Sequence, residues 1–176
     1  AMTEAIPEVE RIVVIEDTSE LKLRQTHSVY LEEQKPDEYG QGSVTIRELF
    51  VASLRMRPDR IIVGEVRGGE ALDMIQSMLS GHSGSLTTVH ANTPRDAMIR
   101  LETLSLMSDV QIPVYVARTQ VASAIEIVVQ LTRFTADGAR KITRITEVEP
   151  IDEKNEYRFR DLFVYRRPGG RPDAAP

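Results

Sequence analysis

The sequence predicts an α/β fold with a mostly parallel sheet and antiparallel strands near the carboxyl end. Three observations predict it. Ile12-Val13-Val14-Ile15, behind Arg11, is an unbroken apolar run rich in β-branched residues, as a strand buried on both faces requires. Ile61-Ile62-Val63 is a second such run. It leads through Gly64-Glu65 into an amphipathic stretch ending at Gly81, and then into a short run from Ser85 to His90. Strand, helix, strand in that order is the unit of a parallel sheet. Near the end, Ile127 to Thr132 and Arg140 to Glu149 flank Ala136-Asp137-Gly138, the pattern of a hairpin.

The elements follow in order. Arg11 to Ile15 is the first strand, and Ser28 to Glu32 alternates well enough for a second. Gln34 to Ser43 holds proline, glycine and polar residues and reads as a mobile loop. Thr45-Ile46-Arg47-Glu48 is a capping box, so a helix starts there, burying Ile46, Leu49, Phe50 and Ser53-Leu54. Pro58 stops it. Ala71, Leu72, Ile75, Met78 and Leu79 recur at helical spacing, with the methionines as core filler. Thr93-Pro94 is a cap followed by proline at the first helical position. The buried stripe of that helix is Ala97, Met98, Leu101, Leu104 and Met107. Pro113 opens another helix, with Val114, Ala117, Val121 and Ala124-Ile125 on one face. Ile127 to Leu131 reads as a buried strand, Tyr157 to Tyr165 as the last strand, and 166–176 as a flexible tail.

A chain of 176 residues suffices for one domain with a sizeable core. The net charge of -5 argues against a generally nucleic-acid-binding surface. The lack of cysteine excludes disulfides and cysteine-held zinc. No run approaches the ~20 apolar residues that span a bilayer, and no signal peptide is visible. A membrane role would therefore run through a partner protein.

Ligands of open parallel sheets bind at the carboxyl ends of the strands. Glu16 and Asp17 end the first run, Glu65 follows the second and His90 ends the third, so all face one rim. Taken alone, Glu16-Asp17 is a polar strand end in solvent, and Glu65 a carboxylate capping the helix begun at Gly68-Gly69. The functional alternative for Glu65 is a rigid carboxylate that orients water in phosphoanhydride hydrolysis. His90 then reads as a hydrogen-bonding sensor of phosphate, and a structural histidine remains open, above all for His82. The two are eight residues apart with no third histidine nearby, so zinc is not expected. Arg55, Arg57, Arg60 and Arg67 form either a solvated basic face or a source of bidentate phosphate contacts.

The stretch RMRPDRIIVGEVRG resembles the Walker B segment of the secretion ATPases, the hexameric motors of type II and type IV secretion and of type IV and Tad pilus assembly. GHSGSLTTVHANT resembles that family's histidine box and VVIEDTSEL its aspartate box. The three stand in the family's order, and the resemblance covers about residues 8 to 165. It implies a RecA-like P-loop NTPase core over 8–165 that hydrolyses ATP with magnesium. It also implies a hexameric ring on the cytoplasmic face of the inner membrane, against a membrane platform protein and without nucleic acid. Glu65, Glu16 and His90 become catalytic by resemblance. Glu16 and Asp17 become magnesium partners through water, and Arg57, Arg60, Arg67 and His82 phosphate-binding or inter-subunit residues.

The sequence departs from the family in one respect. No G-x-x-x-x-G-K-[ST] phosphate loop occurs in the 176 residues. The family places that loop, with its strand and helix, just before the aspartate-box strand. The expectation is a truncated core, inactive alone, in a longer ATPase. The four-cysteine insert of some type II members is absent, which favours the type IV secretion or Tad branch. Two alternatives stay open: a RecA-like nucleic-acid motor, and a non-catalytic interaction module without a phosphate loop.

Overall fold

A computed structural model describes residues 2–135 and 138–166. Its first sheet has four parallel strands: β1 (Ile12–Glu16), β2 (Ser28–Glu32), β3 (Arg60–Val63) and β4 (Leu86–Thr87), in the order β2-β1-β3-β4. The α-helices among the described residues are α1 (Ile46–Ser53), α2 (Glu70–Leu79), α3 (Pro94–Leu106) and α4 (Val114–Ala124). A second, antiparallel sheet contains β5 (Ile127–Arg133), β6 (Arg140–Glu149) and β7 (Arg158–Val164), in chain order. The predicted α/β class with carboxyl-terminal antiparallel strands is present. The middle of the expected hairpin turn and the tail from 167 lie outside the described residues.

All five β1 residues are buried, because β1 lies between β2 and β3 and is covered above and below. Val13, Ile15, Ile61 and Val63 face the main core with Phe50, Met74, Ile75, Met98, Leu101 and Val121 from the helices. Ile12, Val14 and Ile62 face the other side, under Ile6, Leu23 and Leu86. The run of β-branched residues is thus explained by two-sided burial.

The capping box forms as expected. The Thr45 side chain accepts from the Glu48 N–H, and the Glu48 carboxylate accepts from the Thr45 N–H at 2.8 Å. The loop after β2 is closed by a bridge between Gln34 and Val44. Inside it, Asp37 accepts from the N–H groups of Tyr39 and Gln41 at 2.9 and 2.8 Å.

Some expectations about burial fail. Leu79, Met107 and Val114 were placed on buried faces but are exposed, since each sits at a helix end that turns past the core. Met74 is fully buried, as expected of a core-filling methionine. Strand β5 is not buried throughout: Ile127 and Leu131 are exposed, because only the face carrying Val128 meets the core. The short run at 85–90 gives only two residues of strand. Beyond it the backbone still follows β3, with the Val66 N–H donating to the Thr88 carbonyl at 3.1 Å.

Two buried or half-buried arginines tie the layers together. Arg118 on α4 donates to both oxygens of the buried Glu102 on α3, at 2.9 and 3.2 Å, and to the Asn155 carbonyl at 3.1 Å. The Tyr157 hydroxyl donates to the same carboxylate at 3.1 Å. Burial, with the Glu102 charge beside it, holds the Tyr157 phenol above its usual value. Arg47 on α1 reaches Asp73 on α2 at 2.8 Å and Asp109 beyond α3 at 2.6 Å.

Gly69, at the start of α2, tests this packing. Its φ of -63° is open to any residue. A Cβ there would lie 2.8 Å from the Ser108 Cα and 3.1 Å from the Met107 carbonyl oxygen. Those are backbone atoms, so the α3–α4 connection would have to shift. Gly69→Ala should destabilise the chain by about 1–3 kcal/mol, the range of overpacking. In urea this lowers the midpoint at unchanged slope. A midpoint equal to or above the parent's would refute the packing described.

Candidate functional site

The pairing Ile12↔Arg60 through Ile15↔Val63 runs in register, so the carboxyl ends of β1 and β3 come out side by side. Glu16 and Asp17 leave β1 at that rim, and Gly64-Glu65 leave β3. The chain after β4 reaches the same edge, where the Thr88 hydroxyl donates to the Gly64 carbonyl at 2.6 Å. His90 follows two residues later. The sequence expectation of one shared rim for Glu16, Glu65 and His90 matches this geometry.

Glu65 stands at the centre. Its side chain is only 17% exposed. Oε1 lies 3.2 Å from His90 Nε2, which donates to it when that nitrogen carries a proton. Oε2 accepts from Arg67 Nε at 2.8 Å and lies 2.5 Å from Arg67 Nη2 in the same ion pair. The remaining Arg67 nitrogen, Nη1, donates to Asp17 Oδ2 at 2.8 Å. One guanidinium therefore joins the ends of β1 and β3. Its bonds to Glu65 first, then to Asp17, hold Arg67 above even its usual high pKa.

Glu65 does not cap α2. The N-cap of α2, Gly69, has no side-chain partner; Glu70 Oε1 instead accepts from the N–H groups of Arg67 at 2.7 Å and Gly68 at 2.8 Å, in the turn before the helix. Sequence reading missed Glu70, which ties down the turn between β3 and α2.

Glu16 is placed differently from Glu65. It is buried, and both its oxygens accept from the N–H groups of Glu20 and Leu21 at 3.2–3.3 Å. It fixes the loop after β1. Gly64 is needed beside it, since a Cβ there would come within 3.0 Å of Glu16 Cγ. The close approach read from Gly64 is made by this side chain.

The other sequence candidates part company. Arg60 begins β3, so roughly 13 Å of strand separates it from the rim. Its Nε donates to Glu10 at 2.9 Å and its Nη1 to the Gly84 carbonyl. Arg57 is exposed at the same far end, with a left-handed φ of 52°. His82 precedes β4, also at that end, and its Nδ1 is buried without a hydrogen-bond partner. Of the arginines and histidines named, the structure brings only Arg67 and His90 to Glu65.

A cleft of about 430 Å³ opens beside the rim. Asp17, Glu33, Glu65 and Glu70 line it, with Arg47 and Arg67. Arg47, at the start of α1, was not singled out from the sequence.

Magnesium prefers oxygen ligands in a near-octahedral shell, commonly one or two carboxylates plus phosphate and water. Glu16 does not fit as a direct ligand, because both oxygens already accept amide bonds. Asp17 does not fit in this arrangement either: Oδ1 accepts from the Thr18 N–H at 3.1 Å and Oδ2 from Arg67. No group of three or more His, Cys, Asp or Glu suited to a metal occurs among the described residues. Nor, among them, is any helix long and apolar enough to cross a membrane.

Known proteins resemble the chain along most of its length. Residues 1–168 match the family described as "Type II/IV secretion system protein". A putative conjugal transfer protein of Mycobacterium tuberculosis is 36% identical over 175 residues, 99% of this chain and 48% of that protein. The type IV secretion system protein PtlH of Bordetella pertussis is 41% identical over 144 residues, 80% of this chain and 42% of that protein. The crystal structure of the VirB11 ATPase from the Brucella suis type IV secretion system, in complex with sulphate, superposes with a TM-score of 0.72 at 32% identity. It covers 82% of this chain and 42% of that one. The chain spans about half the length of the curated relatives it matches. With its parallel sheet, its rim of Glu65 and His90 and a match over residues 1–168, the chain belongs to the type II/IV secretion system protein family.

Proposed function

We propose that the chain is the water-positioning part of a RecA-like motor ATPase that drives secretion or pilus assembly. The observation that carries this reading is the placing of Glu65. It is a nearly buried carboxylate on the end of an interior strand, with His90 Nε2 at 3.2 Å. Phosphoanhydride hydrolysis asks the protein mainly to position water and to stabilise charge. Glu65 orients the attacking water and accepts its proton, and His90 hydrogen-bonds the phosphoryl oxygens. Relatives named as conjugal transfer and type IV secretion proteins, and one named an ATPase, support this chemistry.

The rim does not grip a triphosphate unaided. Four carboxylates line the cleft against two guanidiniums, and Arg47 is already shared by Asp73 and Asp109. An anionic substrate entering there needs added positive charge. The missing phosphate-loop motif and the half-length match to the relatives support a loop supplied by another part of a longer chain. In that protein Glu16 keeps its structural task beside Glu65. A ring of copies, an inner-membrane platform partner and a cytoplasmic site complete the proposal.

In a protein of the relatives' length that carries this sequence, Glu65→Gln should lower kcat by roughly 100-fold or more, the scale of a positioned general base. KM for ATP should change little, because the lost interaction belongs to the transition state. His90→Ala should slow turnover less, since water partly replaces its hydrogen bond. Phosphate release measured against ATP concentration checks both. Parent-like turnover in Glu65→Gln would remove Glu65 from the role. The 176-residue chain alone should release no phosphate above background. Turnover by it that Glu65→Gln abolishes would contradict the need for an outside phosphate loop.

A further inference from the structure

Arg67 presents a conflict with the task given to Glu65. A water-orienting carboxylate needs a free lone pair facing the substrate. Here Oε2 is held by the Arg67 guanidinium and Oε1 faces His90. Arg67 spends its Nε, Nη1 and Nη2 on the two carboxylates of Glu65 and Asp17. The arrangement commits Glu65 Oε2 to Arg67 and leaves Oε1 shared between His90 and the cleft.

The same residue is built to move. Its backbone is fixed: the Arg67 N–H donates to Glu70, and Val66 before it is buried. Its side chain is 61% exposed, against 17% for Glu65. The head can therefore swing while its pivot and its partner stay in place. Exposed ion pairs are individually weak. A guanidinium forms its strongest planar contacts with carboxylate or phosphate, so a phosphoryl group is a direct competitor for it.

We propose that Arg67 is a latch that holds Glu65 and Asp17 together at rest and frees Glu65 when a phosphoryl group draws its guanidinium away. Arg67 is thus a positioning residue, acting through Glu65. The proposal rests on the hydrolytic reading of this rim and adds its regulation. Arrival of phosphate and release of the water-orienting carboxylate become one event. Such a device keeps Glu65 engaged while the site is empty.

The test uses a protein of the relatives' length that carries this sequence, with inorganic pyrophosphate as the probe, at constant ionic strength. NMR follows the Arg67 Nε–H signal and the Glu65 side-chain carboxyl carbon. At rest, Glu65→Gln should alter the Arg67 signal; no change would mean that the pair does not form. On titration, both signals should move with one midpoint. Arg67→Lys should lose the Glu65 response, because an ammonium cannot hold both carboxylates in the same planar fork. Asp17→Asn removes one anchor and should lower the midpoint by about two- to fivefold, the scale of one exposed ion pair. Movement of Arg67 without Glu65 would make it a plain phosphate ligand and overturn the latch, as would movement of neither. Turnover separates this from the hydrolytic reading. Joint movement without ATP hydrolysis in the longer protein sinks that reading alone, and hydrolysis without joint movement sinks the latch alone.

Discussion

The in-register parallel pairing of β1 with β3 is the constraint on which the rest depends. Both strands are interior to the sheet, and their apolar residues are buried on both faces. A slip of one residue would turn Val13 and Ile61 toward the wrong face, so the register is strongly held. Because it is held, Glu16 and Glu65 leave the sheet at one level, and a single arginine reaches both strand ends. Rigid elements place functional groups more closely than loops do. The site exploits this by standing one or two residues beyond buried strands.

The two ends of the sheet divide the charges by task. At the far end, Arg60 pairs with Glu10 and the Gly84 carbonyl and anchors the start of β3. At the rim, carboxylates predominate, and each has a distinct employer. Glu16 holds the loop after β1, Glu70 holds the amides before α2, and Glu65 and Asp17 hold Arg67. Only the last pairing is ionic, and its guanidinium is largely exposed. It is also the one that a competing anion reaches first. The static parts of the rim are bound by backbone amides, and the part given a moving role is bound by a side chain.

Much of this was legible in the sequence, for physical reasons. Two-sided burial writes an unbroken β-branched run, so β1 and β3 were plain. Thr45 with Glu48, and Thr93 with Pro94, announce helix starts through backbone amides that need partners. The shared rim followed from strand polarity alone. What failed depends on contacts between distant segments. Leu79, Met107 and Val114 fit a helical stripe, yet the stripe outruns the neighbouring surface at helix ends. Arg57, Arg60 and Arg67 looked equivalent within one short stretch. The four-residue strand between them sends the first two to one end and the third to the other. Glu65 could be read as a cap for α2, but the chain after β3 turns it to Arg67 and His90, while Glu70 holds the amides of that turn.

The central claim is that the rim rides on strands that do not open independently. Amide hydrogen exchange under native conditions tests it most directly. Val13 to Ile15 and Ile61 to Val63 should exchange only through global unfolding. Their opening free energies should match the urea-derived stability and fall with urea at the same slope. If the β3 amides instead open at clearly lower free energy and with a shallower urea dependence, Glu65 stands on a strand that frays on its own, and the account of a rigid rim is contradicted.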